Sequence, residues 1–150
     1  MNPKHKNGFT LIEILIALGL IAILISTLVF ILNPAKLLSK SRNDRRTFDV
    51  NSILNAIGEN ISDNFGQFNC AAGDIPTATS WISSDGYDIR DCLVTEYLTE
   101  LPVDPSYGIA PSAGTSTYDT RYQIIQNSTT SDITISAPDA ELGATITVTR

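Results

Sequence analysis

The chain is poor in the side chains that most catalytic sites depend on. Of 150 residues one is histidine, His5, and two are cysteine, Cys70 and Cys92. A Ser-His-Asp or Cys-His arrangement would have that single imidazole to draw on. No closely spaced His/Cys set offers a metal site, and no glycine-rich loop stands ahead of a helix to cradle phosphates. Positive charge is also scarce after Arg46, where Arg90, Arg121 and Arg150 face fourteen acidic residues. Neutralising nucleic-acid phosphates takes clustered Lys and Arg, so this part of the chain offers no general nucleic-acid face. Enzymatic activity is not expected.

Apolar side chains are plentiful, 43% of the total, and many of them are concentrated near the start. Between Phe9 and Leu32 the only polar side chains are Thr10, Glu13, Ser26 and Thr27. As a helix this stretch would be roughly 36 Å long at about 1.5 Å per residue, enough for a hydrocarbon core of about 30 Å. A core helix of a soluble protein would show a polar stripe, and none is present. Glu13 therefore needs a reason, because a carboxylate at mid-membrane costs about 2.5 to 3.5 kcal/mol. Its own helix supplies no basic partner. Either it reaches the headgroups or is protonated, or its partner comes from another chain.

These residues carry a resemblance. A short basic leader ending in Gly8, followed by Phe9-Thr10-Leu11-Ile12-Glu13 and an apolar helix, resembles the class III signal of type IV prepilins and type II secretion pseudopilins. The resemblance implies cleavage between Gly8 and Phe9 by a prepilin peptidase on the cytoplasmic side, and N-methylation of Phe9. It further implies that Glu13 neutralises the terminal ammonium of Phe9 in a neighbouring subunit while the helices pack into the core of a homo-oligomeric filament. Implied partners are other pilin subunits, the peptidase/N-methyltransferase, inner-membrane assembly machinery and, before assembly, membrane lipid, with no direct nucleic-acid binding. The implied location is a single pass of the inner membrane with the N-terminus in the cytoplasm and the head outside, then an extracellular pilus. Cleavage would also remove His5. The expected function is that of a structural pilus subunit. The alternatives are a pseudopilin of a secretion or competence system and, from another class, a membrane-anchored adhesive domain.

After the span, Lys36, Lys40, Arg42, Arg45 and Arg46 form a basic collar. The positive-inside bias alone would put the C-terminus in the cytoplasm, against the signal; the signal decides, because cleavage after Gly8 requires a cytoplasmic leader. The collar is expected to be solvated, to face lipid, or to oppose acidic residues of another subunit. In a head outside the membrane the even cysteine count favours a disulfide between Cys70 and Cys92, worth roughly 3 kcal/mol for a loop of this size. Two buried free thiols are the alternative.

The organisation read from the chain is a leader at 1–8, an apolar helix at 9–32, an amphipathic stem helix at 33–65 and a head at 66–150. Pro34 removes a hydrogen bond to the Phe30 carbonyl and disfavours helical geometry at Asn33, so a kink or break is expected there, with Gly19 a weaker soft spot. Val50, Ile53, Leu54, Ile57, Ile61 and Phe65 mark one apolar face of a helix running to about Asn64 and stopped near Gly66. Asp49, Asn51, Asn55, Glu59 and Asn60 fall mostly on the other side. Residues 67–88 read as loop and 88–101 as a helix capped by Asp88. Pro102 and Pro105 then flank a turn that resembles the proline-aspartate-proline turn leading into the sheet of short pilins and major pseudopilins. A loop at 107–117 precedes strands at 121–126, 132–137 and 144–149. The fold class is α+β, a long N-terminal helix packed against a small antiparallel sheet of about three strands. No cofactor is expected apart from calcium, for which Asp85, Asp88, Asp91 and Asp104 are the candidate ligands. Asn60 and Asn127 stand in glycosylation sequons; Asn60 is on the stem, and a plain polar turn is the simpler reading of Asn127.

Overall fold

The computed structural model describes residues 8–111 and 116–150. Leader residues 1–7, with Lys4, His5 and Lys6, and part of the expected 107–117 loop lie outside the described residues. The chain divides into two compact units, one ending at Leu38 and one beginning at Ser39.

Helix α1 is Leu11–Leu32, 22 residues that continue unbroken through Gly19. Its start is fixed by Thr10, whose hydroxyl accepts from the Glu13 backbone N–H while the Glu13 carboxylate accepts from the Thr10 N–H, a reciprocal capping box. Asn33 ends it in the left-handed region at φ 43°, a conformation that Asn tolerates better than most side chains. Helix α2, Pro34–Asp63, begins on the next residue. Proline suits that first position because the N–H it lacks would have had no helical partner. The Asn33 side chain also accepts from the Lys36 N–H at 3.3 Å, so one asparagine closes one helix and opens the next.

From Ser39 onward α2 packs under a four-stranded antiparallel sheet. Strands β1 (Ser80–Ser83), β2 (Asp119–Gln126), β3 (Ile133–Ser136) and β4 (Thr147–Thr149) follow one another in space in chain order. The fold class is α+β as expected, with one strand more. Ile82, Tyr122, Ile124 and Ile135 face Val50, Ile53, Leu54 and Ile57 of α2 in one apolar core. Alternation along β2 puts Thr120, Tyr122 and Ile124 inside and Arg121 and Gln123 outside, as a half-buried strand requires.

Four expectations are corrected. β1 lies in the segment read as loop: its four residues are flanked by Thr79, Ser84 and Asp85, and that polar, turn-forming composition hides a strand whose only core contribution is Ile82. The helix expected over 88–101 is a single turn, α3 (Arg90–Leu93), because Thr95 takes φ 82° and the chain folds back so that Leu98 N–H reaches Leu93 O at 2.9 Å. Ile89, Leu93 and Leu101 still reach the core. Phe65 does not extend the apolar face of α2. The helix stops at Asp63, Phe65 takes φ 57° and its side chain is fully exposed, while Gly66 closes the end through Ile61 O. Asp49 and Asn60, read as outward, are buried, each held by hydrogen bonds described below.

Candidate functional site

The N-terminal site is built from very few polar groups. Gly8, Phe9 and Thr10 are exposed and non-helical ahead of α1. Within α1 the Ser26 hydroxyl donates to Ala22 O at 2.8 Å and the Thr27 hydroxyl to Leu24 O at 2.9 Å. Both are therefore satisfied inside their own helix and ask nothing of lipid or of a neighbour. Glu13 differs. Its carboxylate accepts one long hydrogen bond, 3.5 Å from the Thr10 N–H, and has acceptor capacity to spare. The stretch Leu11–Val29 is long and apolar enough to cross a membrane and none of it is buried. The capping role of Thr10 goes beyond its place in the signal motif, although Thr-x-x-Glu ahead of an apolar run is a legible start signal.

The basic collar resolves into two parts. Arg46 is fully buried, and each of its five N–H donors has a partner. Nε and Nη2 hold Asp104 at 2.6 and 3.3 Å, Nη1 reaches Glu141 at 3.2 Å and the Asn43 side chain at 3.0 Å, and Nη2 reaches the Ser106 hydroxyl at 3.2 Å. Arg42 grips Glu141 with both forks at 2.6 Å, and Asn43 exchanges two hydrogen bonds with the Glu141 backbone. Arg45 pairs with Asp49 at 2.9 Å, and the Tyr122 hydroxyl donates to the other Asp49 oxygen at 2.9 Å. The three arginines thus pair within their own chain. For these three residues this corrects the expectation that the collar faces lipid or another subunit; among the described residues, only Lys36 and Lys40 of the collar make no ion pair.

The electrostatics follow the partners. Burial pushes the Asp104 carboxyl up, but the Arg46 hydrogen bond and the Ser106 and Tyr107 backbone N–H groups outweigh it and hold the group below its ordinary value. The Arg42 hydrogen bond holds Glu141 far below the usual carboxylate range. Asp49 goes the other way: burial raises it, and Tyr122 and Arg45 compensate only in part. Asp104 also shapes the proline-flanked turn, accepting from Ser106 N–H at 2.7 Å and Tyr107 N–H at 2.9 Å. Gly108 is required there, since a Cβ would lie 2.6 Å from the Asp104 nitrogen.

Cys70 and Cys92 are joined, with Cα atoms 5.2 Å apart. The buried Asn60 stitches the base of their loop to α2, donating to Asn69 O and Cys92 O and accepting from Asn69 N–H. Its sequon is therefore closed to modification. Asn127 accepts from Thr129 and Thr130 N–H as an ordinary side-chain-capped turn. The four aspartates proposed for calcium are not brought together: Asp104 is taken by Arg46, Asp88 accepts the Tyr118 hydroxyl at 2.7 Å, and Asp91 pairs with Arg90. Asp88 stands one residue ahead of the N-cap position, which Ile89 holds without a side-chain cap bond, and its carboxylate accepts from the Arg90 N–H at 3.3 Å at the start of α3. Among the described residues, no group of three or more His, Cys, Asp or Glu could hold a metal ion.

Residues 3–29 match the model of the prokaryotic N-terminal methylation motif, the class III signal of type IV pilins and pseudopilins. The match covers α1 as far as Val29 and no part of α2 or the sheet. No curated protein and no solved structure matches the chain. A class III signal and a long N-terminal apolar helix, followed along the chain by an antiparallel sheet, are consistent with the pilin fold. They support a type IV pilin or pseudopilin-like protein.

Proposed function

We propose that the chain is a structural, non-catalytic subunit of a type IV pilus. A prepilin peptidase cleaves it after Gly8, Phe9 is methylated, and the mature chain passes from the inner membrane into an extracellular filament by burying α1 among copies of itself. One observation carries this reading: α1 is exposed along Leu11–Val29, its hydroxyls are satisfied, and its single carboxylate is held by one long hydrogen bond. Such a helix suits lipid or a bundle of its own kind. In the bundle, the ammonium of a neighbouring Phe9 supplies the charge that Glu13 lacks.

Mass spectrometry of the protein isolated from cells tests the processing step. The expected N-terminus is a methylated Phe9; retention of Met1 would refute it. Shearing the cells tests the product: long surface fibres containing this chain support the pilus, and their absence alongside a processed N-terminus moves the assignment to a pseudopilin.

A further inference from the structure

Three of the five basic residues that follow α1 are engaged inside the chain; Lys36 and Lys40 are not. Both are exposed and stand four residues apart on α2, so they share one face of the helix. Among the described residues neither ammonium has a hydrogen-bond or ion-pair partner. The sequence has no carboxylate between Glu13 and Asp44, and Asp44, one turn beyond Lys40, is exposed and makes no ion pair with it. Between the two lysines, Leu37 and Leu38 are 51% and 61% exposed. The first two turns of α2 therefore present apolar contact and positive charge together, as a helix segment at a membrane surface does.

The length of α1 says where that segment falls. Its 22 residues make a helix of about 33 Å, which matches a hydrocarbon core of about 30 Å. With the Glu13 end at one boundary, Leu32 reaches the other. Residues 34–38, in the same compact unit as α1, then enter the headgroup layer, and Lys40 is on the next turn of the same helix. A second copy at the same depth would set lysine against lysine, since its first carboxylate after Glu13 is also Asp44. Phosphate is the acceptor available at that level, and a lysine ammonium, a compact point charge, pairs with it without a fixed geometry. A zwitterionic headgroup brings a cation of its own that competes for the phosphate; an anionic headgroup brings none.

We propose that Lys36 and Lys40 bind the phosphate of anionic phospholipid headgroups at the end of α1, so that the unassembled chain selects anionic over zwitterionic lipid. This rests on α1 crossing a bilayer, as the proposed function requires, and adds the class of lipid that the chain takes there.

The full chain is reconstituted in phosphatidylcholine vesicles that contain a trace of spin-labelled phosphatidylglycerol or spin-labelled phosphatidylcholine. Electron paramagnetic resonance then reads how much of each label is held against the protein. At about 10 mM salt phosphatidylglycerol should be favoured, and the preference should shrink at about 1 M salt, where charges are screened beyond about 3 Å. The double variant Lys36→Gln, Lys40→Gln should lower the preference about fivefold or more, the worth of at least one lysine near a charged surface. It leaves Lys4 and Lys6 of the leader in place, so the change reports on the α2 lysines alone. Lys36→Arg with Lys40→Arg should keep the preference. Equal retention of the two labels overturns the proposal, as does a preference that the double glutamine variant leaves unchanged; either result, with label still held, leaves α1 in the bilayer and the proposed function standing. Retention of neither label would overturn both. Equal retention together with a fall in sheared filament from the glutamine variant would give the lysines to a neighbouring subunit instead.

Discussion

Glu13 and Arg46 are the ionic side chains on which their regions depend, and they are provided for very differently. Arg46 is buried with all five donors matched inside its own chain. Glu13 stands on an exposed apolar helix with one hydrogen bond of 3.5 Å. The ionic centre of the head around Arg46 is therefore satisfied within one chain, whereas the Glu13 carboxylate keeps acceptor capacity that its own helix does not fill. Under the proposed function, such a chain would fold its head before it assembles and keep that unmet interaction for assembly.

Removing the unmet carboxylate is the strongest way to break that contrast. In a filament core Glu13→Ala leaves the neighbour's ammonium buried and unpaired, a loss of about 3 to 5 kcal/mol. The full-length variant should accumulate in the membrane and be cleaved normally. Sheared filament should fall by about two orders of magnitude or more. Normal filament yield would remove Glu13 from the assembly mechanism.

Arg46→Ala tests the other side. It strands Asp104 in the core, so the head should lose about 3 to 5 kcal/mol, read as a lower denaturation midpoint of the full chain in detergent. Arg46→Lys should recover little of this, because one ammonium cannot fill the places of a five-donor fork. An unchanged midpoint would mean that the buried network is not what holds the proline-flanked turn to α2. Reducing the Cys70–Cys92 bridge, or replacing both residues with serine, should cost somewhat less, about 3 kcal/mol for a loop closed across 22 residues. Asn60 still ties the loop base down in that variant.

How far the sequence disclosed all this depends on the range of each interaction. The apolar run, the break at Asn33-Pro34 and the core spacing of Val50, Ile53 and Ile57 are local patterns and are readable directly. The partners of Arg42 and Arg46 are 99 and 58 residues away, and no local pattern announces them. A basic cluster after a membrane span looks the same whether it faces lipid or its own head. β1 escaped notice because four residues show too little alternation to outweigh serine and threonine. The spacing over 88–101 predicts a longer helix than the chain forms, because apolar spacing survives in a chain that turns back at Thr95.

The smallest expected effect separates two buried carboxylates that contact the same helix. Asp104 sits below its ordinary pKa and Asp49 above it, so their contributions to stability must run oppositely with pH. A depressed carboxyl stabilises the fold above its unfolded value, near 4, and loses that contribution as pH falls through its folded value. A raised carboxyl is at its best below the unfolded value, and its contribution shrinks as pH rises through the folded one. Asp49→Asn keeps an acceptor for the Tyr122 hydroxyl and removes the ionisation that burial opposes. It gives up only the pair with Arg45, whose side chain is 58% exposed and worth at most about 1 kcal/mol. The variant should therefore gain on the order of 1 kcal/mol at pH 7, with the gain fading as the pH is lowered towards 4. Asp104→Asn should show the mirror image, a loss at pH 7 that fades on acidification. Denaturation midpoints of both variants against pH should converge on the wild-type curve from opposite sides as the pH falls; parallel curves would mean that the two carboxylates are not set apart by their surroundings.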